Sequence, residues 1–260
     1  SNRNMLSGRG FGGGLGDIGG GVMDSFTSIQ FFGLESTGGN VAILFVASYS
    51  GATVFPTSSN ELIKTIDQLG NASGARLAII YFGGNSGGHL VLRNEKGINK
   101  DFWYPRGVKD GWLSSGNRAF EEIVSELQRV QNDIQGARVR KFKQYQENEN
   151  AFFLAGTNYW GALNEAYGLR PPPDTVYMIV EPRIAFKSAD KFKEGFDRFN
   201  EFGRVRPPNT TVICIATAEE SQMRKGGRLY QNTVRALELI NGGDLSEEQL
   251  QDRLIVPKLD

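Results

Sequence analysis

The feature that most constrains this chain is a set of four apolar runs rich in β-branched residues, spaced so that helix-compatible sequence can lie between them. They are Val41–Ala47 (VAILFVA), Arg76–Phe82 (RLAIIYF), Thr175–Val180 (TVYMIV) and Thr210–Thr217 (TTVICIAT). A strand with one wet face alternates apolar and polar residues. A run without alternation needs cover on both faces, which a parallel sheet flanked by helices supplies. Helical patterns follow the same rhythm. Ser58-Ser59-Asn60-Glu61 reads as a capping signature ahead of Leu62, Ile63, Ile66 and Leu69. Thr157–Leu169 reads as a short helix closed by Pro171-Pro172-Pro173, and Ser188–Phe202 carries Phe192, Phe196 and Phe199 on one side. Gly227–Asn241 is a helix stopped by Gly242-Gly243. The alternation predicts an α/β fold, a doubly wound and mostly parallel six-stranded sheet with helices on both faces. After a GGNSGG turn, His89–Arg93 (HLVLR) reads as a short strand antiparallel to its neighbour.

Two segments depart from this rhythm. Residues 1–25 are dominated by glycine, with little to bury and a high ordering entropy, and read as a flexible tether; one domain occupies 26–260. Ser1-Asn2 reads as a scar of tag removal, so an anchor or signal ahead of the tether is expected to be missing from this sequence. In the middle of the chain, Asn94–Gly116 is loop-like and holds Trp103, Tyr104 and Trp112. A long helical insertion, 117–150, follows it. Phe120, Ile123, Leu127, Val130 and Ile134 form one narrow apolar stripe that fades into charged sequence after Gly136.

Composition removes several classes of function. Lys plus Arg and Asp plus Glu both number 29, so the chain lacks the basic excess of a nucleic-acid binder. A single cysteine, Cys214, excludes an internal disulfide, and its place within VICIA reads as a buried, inert thiol. A single histidine, His89, excludes His-rich metal sites. No apolar stretch is long enough to span a membrane. Gly8-x-Gly10-x-x-Gly13 matches a dinucleotide fingerprint in letters, but no strand delivers those glycines to a helix. Gly84-Asn85-Ser86-Gly87-Gly88 resembles a serine-protease nucleophile segment. His89, three residues from Ser86 at the start of an extended run, is badly placed as its base, and a glycine-rich hairpin turn explains the same letters.

The informative residues lie where the parallel strands are expected to end. The first strand leads into Ser48-Tyr49-Ser50-Gly51-Ala52, Gly156-Thr157 opens a helix, and Val176–Val180 runs into Glu181-Pro182. Open α/β sheets place their sites at such strand ends. Four segments carry a family likeness: FFGLESTGGNVAILFVASYSGAT, AGTNYWGALNEAYGLRPPPDTVYMIVEP, TTVICIAT and LYQNTVRALELINGG. In pattern and order they resemble the von Willebrand factor type A domain in its bacterial form, across most of residues 30–245. The resemblance implies a metal-ion-dependent adhesion site built from an Asp-x-Ser-x-Ser loop, a threonine and an aspartate. Here the corresponding residues are Ser48, Ser50, Ala52, Thr157 and Glu181. Ser50 and Thr157 fit the pattern, Ser48 stands for an aspartate, Ala52 offers no oxygen, and Glu181 is one methylene longer. Mg²⁺ demands near-octahedral oxygen coordination at roughly 2.0–2.1 Å. A set with one carboxylate and a missing ligand is therefore expected to be a degenerate site that holds no metal and needs no cofactor.

The function implied by the resemblance is protein–protein interaction, as an adhesion or scaffold module, rather than catalysis. The expected partner surface is Ser48, Tyr49, Ser50, Thr157, Asn158, Tyr159, Trp160 and Glu181, where tyrosine and tryptophan bring contact area with few rotatable bonds. For Tyr159 and Trp160 the alternative is packing of the helix start against the sheet. The expected partner is a protein, a second copy of the chain included, with no nucleic acid and with membrane association only through an absent anchor. A bacterial cell-envelope location, membrane-anchored or periplasmic, suits a tethered binding domain; a cytoplasmic one is the alternative. A second functional reading makes the protein an assembly subunit that oligomerises through 117–150. A third, nucleotide binding at the sheet's switch point, has no phosphate loop after any strand to support it.

Overall fold

The computed structural model describes residues 28–46, 54–69, 74–82, 111–135, 159–182, 197 and 199–257. The chain enters through a hairpin, β1 (Gln30–Phe31) and β2 (Leu34–Glu35), turned by Phe32 and Gly33 at φ +53° and +78°. Two consecutive positive φ angles match the right-handed twist of the paired strands, at the expense of an unfavourable conformation for Phe32. The elements that follow are β3 (Asn40–Val46), α1 (Phe55–Leu69), β4 (Arg76–Phe82), β5 (Leu113–Ser114), α2 (Ala119–Gln135), α3 (Tyr159–Gly168) and β6 (Thr175–Val180). A helical stretch at 199–205 leads to β7 (Thr211–Ala216), α4 (Arg228–Ile240), α5 (Glu247–Gln251) and β8 (Leu254–Ile255).

Six strands form one sheet in the order β5-β4-β3-β6-β7-β8, parallel throughout except where β5 pairs with β4. Counted from the first strand of that sheet, the order is 3-2-1-4-5-6, the doubly wound arrangement. The apolar runs behave as their composition requires: every residue of β6 is buried, and Ile43, Phe45, Ile79, Met178, Ile213 and Ile215 are each at most 3% exposed.

Cross-strand partners share a face of the sheet. Ile43, Tyr177 and Ile213 form one row, and Leu44, Met178 and Cys214 form the adjacent row on the opposite face. On the first face, Phe55 of α1 meets Phe45 edge-on with ring centroids 5.6 Å apart. The hairpin covers Tyr177, with Phe31 at 5.4 Å and the Tyr177 hydroxyl donating to the Leu34 carbonyl at 2.7 Å. On the second face, α3 packs against β3 and β4, and Tyr159 lies within electrostatic reach of Cys214. Helices therefore cover both faces.

Several boundaries differ from the sequence expectation. Ser58-Ser59-Asn60-Glu61 is not a cap: α1 begins at Phe55, and the Ser58 N–H already donates to the Val54 carbonyl. Ser58 and Ser59 are buried in the first turns, where the Ser59 hydroxyl donates back to the Phe55 carbonyl. The antiparallel edge strand is β5, inside the segment expected to be loop; His89–Arg93 lies outside the described residues. The tether (1–25), Phe26, most of 94–116 and residues 136–150 lie outside them too.

The described part of the insertion is α2. Asn117 caps it, its side-chain oxygen accepting from the Ala119 N–H at 2.9 Å. Phe120, Ile123 and Leu127 are buried, and α2 packs on α1, where Gln131 donates to Asn60 at 2.9 Å. Helix 199–205 runs three residues past Phe202. At the other end of the second half, α4 finishes as read, in a Schellman motif with Gly242 at φ +84°. There the Gly243 N–H donates to the Glu238 carbonyl at 3.0 Å and the Gly242 N–H to the Leu239 carbonyl at 3.1 Å.

Candidate functional site

Strand order fixes where a site can form. β3 and β6 are parallel neighbours from which the chain departs in opposite directions, to β4 on one side and β7 on the other. Their carboxyl ends, Val46 and Val180, open on the same edge of the sheet, and the crevice of a doubly wound fold lies at such a switch point. Glu181 follows β6 directly.

The first residue of α3 is tied to this edge. The Tyr159 hydroxyl accepts a hydrogen bond from the Glu181 backbone N–H at 3.1 Å. Tyr159 is 6% exposed, so its ring is packed away from solvent, as the packing alternative for this residue requires. Burial pushes the phenol well above its ordinary range, the N–H donated by Glu181 pulls the other way, and the Glu181 carboxylate adds to the rise. Tyr159 is therefore a neutral phenol at any physiological pH. It acts as a clasp rather than an acid.

A second clasp joins the neighbouring strand end. The Val180 carbonyl accepts from the Thr217 N–H at 2.7 Å and from the Thr217 hydroxyl at 2.9 Å. Thr217 is buried and closes the carboxyl end of β7 onto β6. Sequence reading took Thr217 only as the last letter of a strand; a threonine ending an apolar run is too common a pattern to point to this bond.

Glu181 is half-buried at the edge, beside Tyr159. Trp160 is the second residue of α3, and its side chain lies outside the description. Ser48, Tyr49, Ser50, Ala52, Thr157 and Asn158 lie outside the described residues. The structure thus brings Tyr159 and Glu181 together. Among the described residues no three His, Cys, Asp or Glu side chains converge as metal ligands, while most of the proposed adhesion-site residues are outside that set.

Cys214 sits on the face that Tyr159 covers, 3% exposed, and burial pushes its thiol up to about 12. A thiol that stays protonated is a poor nucleophile. Among the described residues no helix is long and apolar enough to cross a membrane. No family model matches the chain and a search of the curated proteins finds no match, so what this edge does must be argued from its own chemistry.

Proposed function

We propose that the protein is a type A-like interaction module that binds a protein partner at the carboxyl edge of its sheet, without a bridging metal ion. The observation that carries this reading is the hydrogen bond from the Glu181 N–H to the Tyr159 hydroxyl at the switch point. It fixes the start of α3, at Tyr159, against the end of β6. The segment Ser48–Ala52 leaves the adjacent strand two residues after Val46. In sequence, the segments singled out above adjoin the end of β3, the start of α3 and the end of β6.

The chemistry favours contact over catalysis. The carboxylate at this edge lies beside a neutral phenol, and the nearby thiol is buried and protonated. With Ser48 in place of an aspartate and Ala52 without an oxygen, the edge has low negative charge and a weak ligand set for Mg²⁺. A partner approaching it needs no cation to offset repulsion. Tyr49, between two serines, supplies the aromatic anchor.

The reading is tested by capturing the partner with the full chain and repeating the capture with Tyr49→Ala, in Mg²⁺ and in EDTA. Truncating an anchor is expected to weaken binding by more than about 2 kcal/mol. EDTA is expected to leave both capture and melting temperature unchanged. Undiminished capture by Tyr49→Ala, alongside loss when Arg138, Arg140 and Lys141 are charge-reversed, would move the interface to 117–150. A rise of several degrees in melting temperature with Mg²⁺, abolished by Glu181→Ala, would establish a metal site instead.

A further inference from the structure

The opposite, amino edge of the sheet holds a polar cleft of about 330 Å³, lined among others by Arg206, Thr210, Thr211, Asn241, Asp244 and Arg253. Its two guanidinium groups are the unusual feature. Arg206 donates to two neutral acceptors, the carbonyls of Thr210 and Asn241, the latter at 3.1 Å. Its Nε is buried with no hydrogen-bond partner among the described residues. The Arg253 side chain makes no hydrogen bond or ion pair among the described residues; only its backbone is engaged, the carbonyl accepting from the Cys214 N–H at 2.7 Å. Two cations thus share one concavity, and no carboxylate among the described residues is bonded to either. Arg253 is held below its ordinary pKa by burial and by the positive charge of Arg206, with Asp252 opposing weakly. The one acidic lining residue, Asp244, is 92% exposed and lies 3.4 Å from Arg235 outside the cleft.

We propose that this cleft binds a small phosphate-bearing ligand between Arg206 and Arg253. Two like charges held close in a partly desolvated cleft repel, and an oxyanion relieves that repulsion. A phosphate monoester carries about −1.5 to −2 charge at pH 7 and three acceptor oxygens. It matches two guanidinium forks better than a carboxylate does, which offsets one charge and leaves the other. The volume lies near the lower end of small-molecule sites, roughly 300–1,000 Å³, which fits a phosphorylated metabolite or free phosphate. The frame is rigid. Asn241 bonds both backbone groups of Val212 at 3.0 Å, and Arg206 spans the start of β7 and the end of α4. The ligand would therefore meet a preformed site, on the edge remote from Glu181 and independent of the interaction face.

The test is titration of the full chain with inorganic phosphate and with glycerol phosphate at constant ionic strength, followed by calorimetry and by melting temperature, with acetate as control. Saturable binding of at least one phosphate species is expected, and which of the two binds tighter separates a free-phosphate site from a metabolite site. Arg253→Gln, which keeps every backbone bond of this residue, is expected to weaken binding by about tenfold or more. Circular dichroism and the melting temperature of Arg253→Gln in phosphate-free buffer check its fold. The wild-type titration stands on its own if that variant does not fold. No saturable phosphate binding, equal binding of acetate, or unchanged affinity in a folded Arg253→Gln would overturn the proposal.

Discussion

Tyr159→Phe removes one atom from the site and leaves the packing in place. The lost oxygen accepts the Glu181 N–H at 3.1 Å, and Tyr159 itself is 6% exposed, so no bulk water stands ready to replace it. A part-buried donor deprived of its acceptor costs about 1–3 kcal/mol, whereas a deletion that left both groups solvated would be near neutral. The ring remains, so no large cavity adds to this figure; Tyr159→Ala would add the larger cost of truncating a buried aromatic, about 3–5 kcal/mol. The assay is equilibrium unfolding in urea, with the midpoint lowered and the slope unchanged. A pH series adds an independent check. The folded phenol titrates above its ordinary value of 10.0. Its stabilising contribution is therefore complete below about pH 10, where an unfolded tyrosine begins to ionise, and falls as pH rises further. The variant should lose stability less steeply than the wild type above that pH, with parallel curves from neutrality to about pH 9. A midpoint within about 0.5 kcal/mol of wild type would refute the clasp. So would an unchanged alkaline limb.

Three further outcomes follow from the core and the sheet edges. Ile213→Ala, at a position 1% exposed in a strand paired on both sides, should destabilise by about 2–5 kcal/mol in the same unfolding assay; a near-neutral result would contradict burial on both faces. Gly38→Ala places a methyl group against the Asp174 side chain, which itself accepts the Asn40 N–H at 2.9 Å, so it should cost about 1–3 kcal/mol or more, read as a fall in melting temperature. Cys214→Ala should flatten the decline of stability from about pH 8.5 upward, because the buried thiol, at about 12, keeps its proton after an unfolded one has lost it; identical alkaline curves would count against burial as the cause.

What the sequence made legible is what depends on burial. The runs VAILFVA, RLAIIYF, TVYMIV and TTVICIAT are strands because nothing but two-sided cover suits unbroken β-branched sequence, and tertiary context had no alternative to impose. The end of α4 was equally readable, since Gly242-Gly243 can supply the positive φ that a Schellman motif needs. The misreadings share one cause, short elements whose stability is borrowed from neighbours. β5 and β8 have two residues each and exist only by pairing with β4 and β7. The hairpin at Gln30–Glu35 is likewise too short to fold without Tyr177 beneath it. Ser58 and Ser59 looked like a cap because their preference for helix starts is local, while their burial against the core is not. One missed helix did carry a signal: Ser246-x-x-Gln249 is a reciprocal capping box, with bonds of 3.0 and 3.1 Å.

The two edges of the sheet are built on different principles. At the amino edge, side chains finish the backbone ladders. Asp174 accepts from the Asn40 N–H at 2.9 Å, and Thr175 accepts from the Thr37 N–H at 2.8 Å. Asn241 then serves Val212 as a strand would, accepting from its N–H and donating to its carbonyl. Every such bond removes a degree of freedom, so a cleft at this edge keeps its shape whether or not it is filled, which suits recognition of a small, compact charge. At the carboxyl edge the described clasps, Tyr159 on Glu181 and Thr217 on Val180, fix where α3 begins and where the strands stop. Both clasps bond backbone groups at the end of β6, so α3 and β7 are held to that strand whatever side chains stand at 180 and 181.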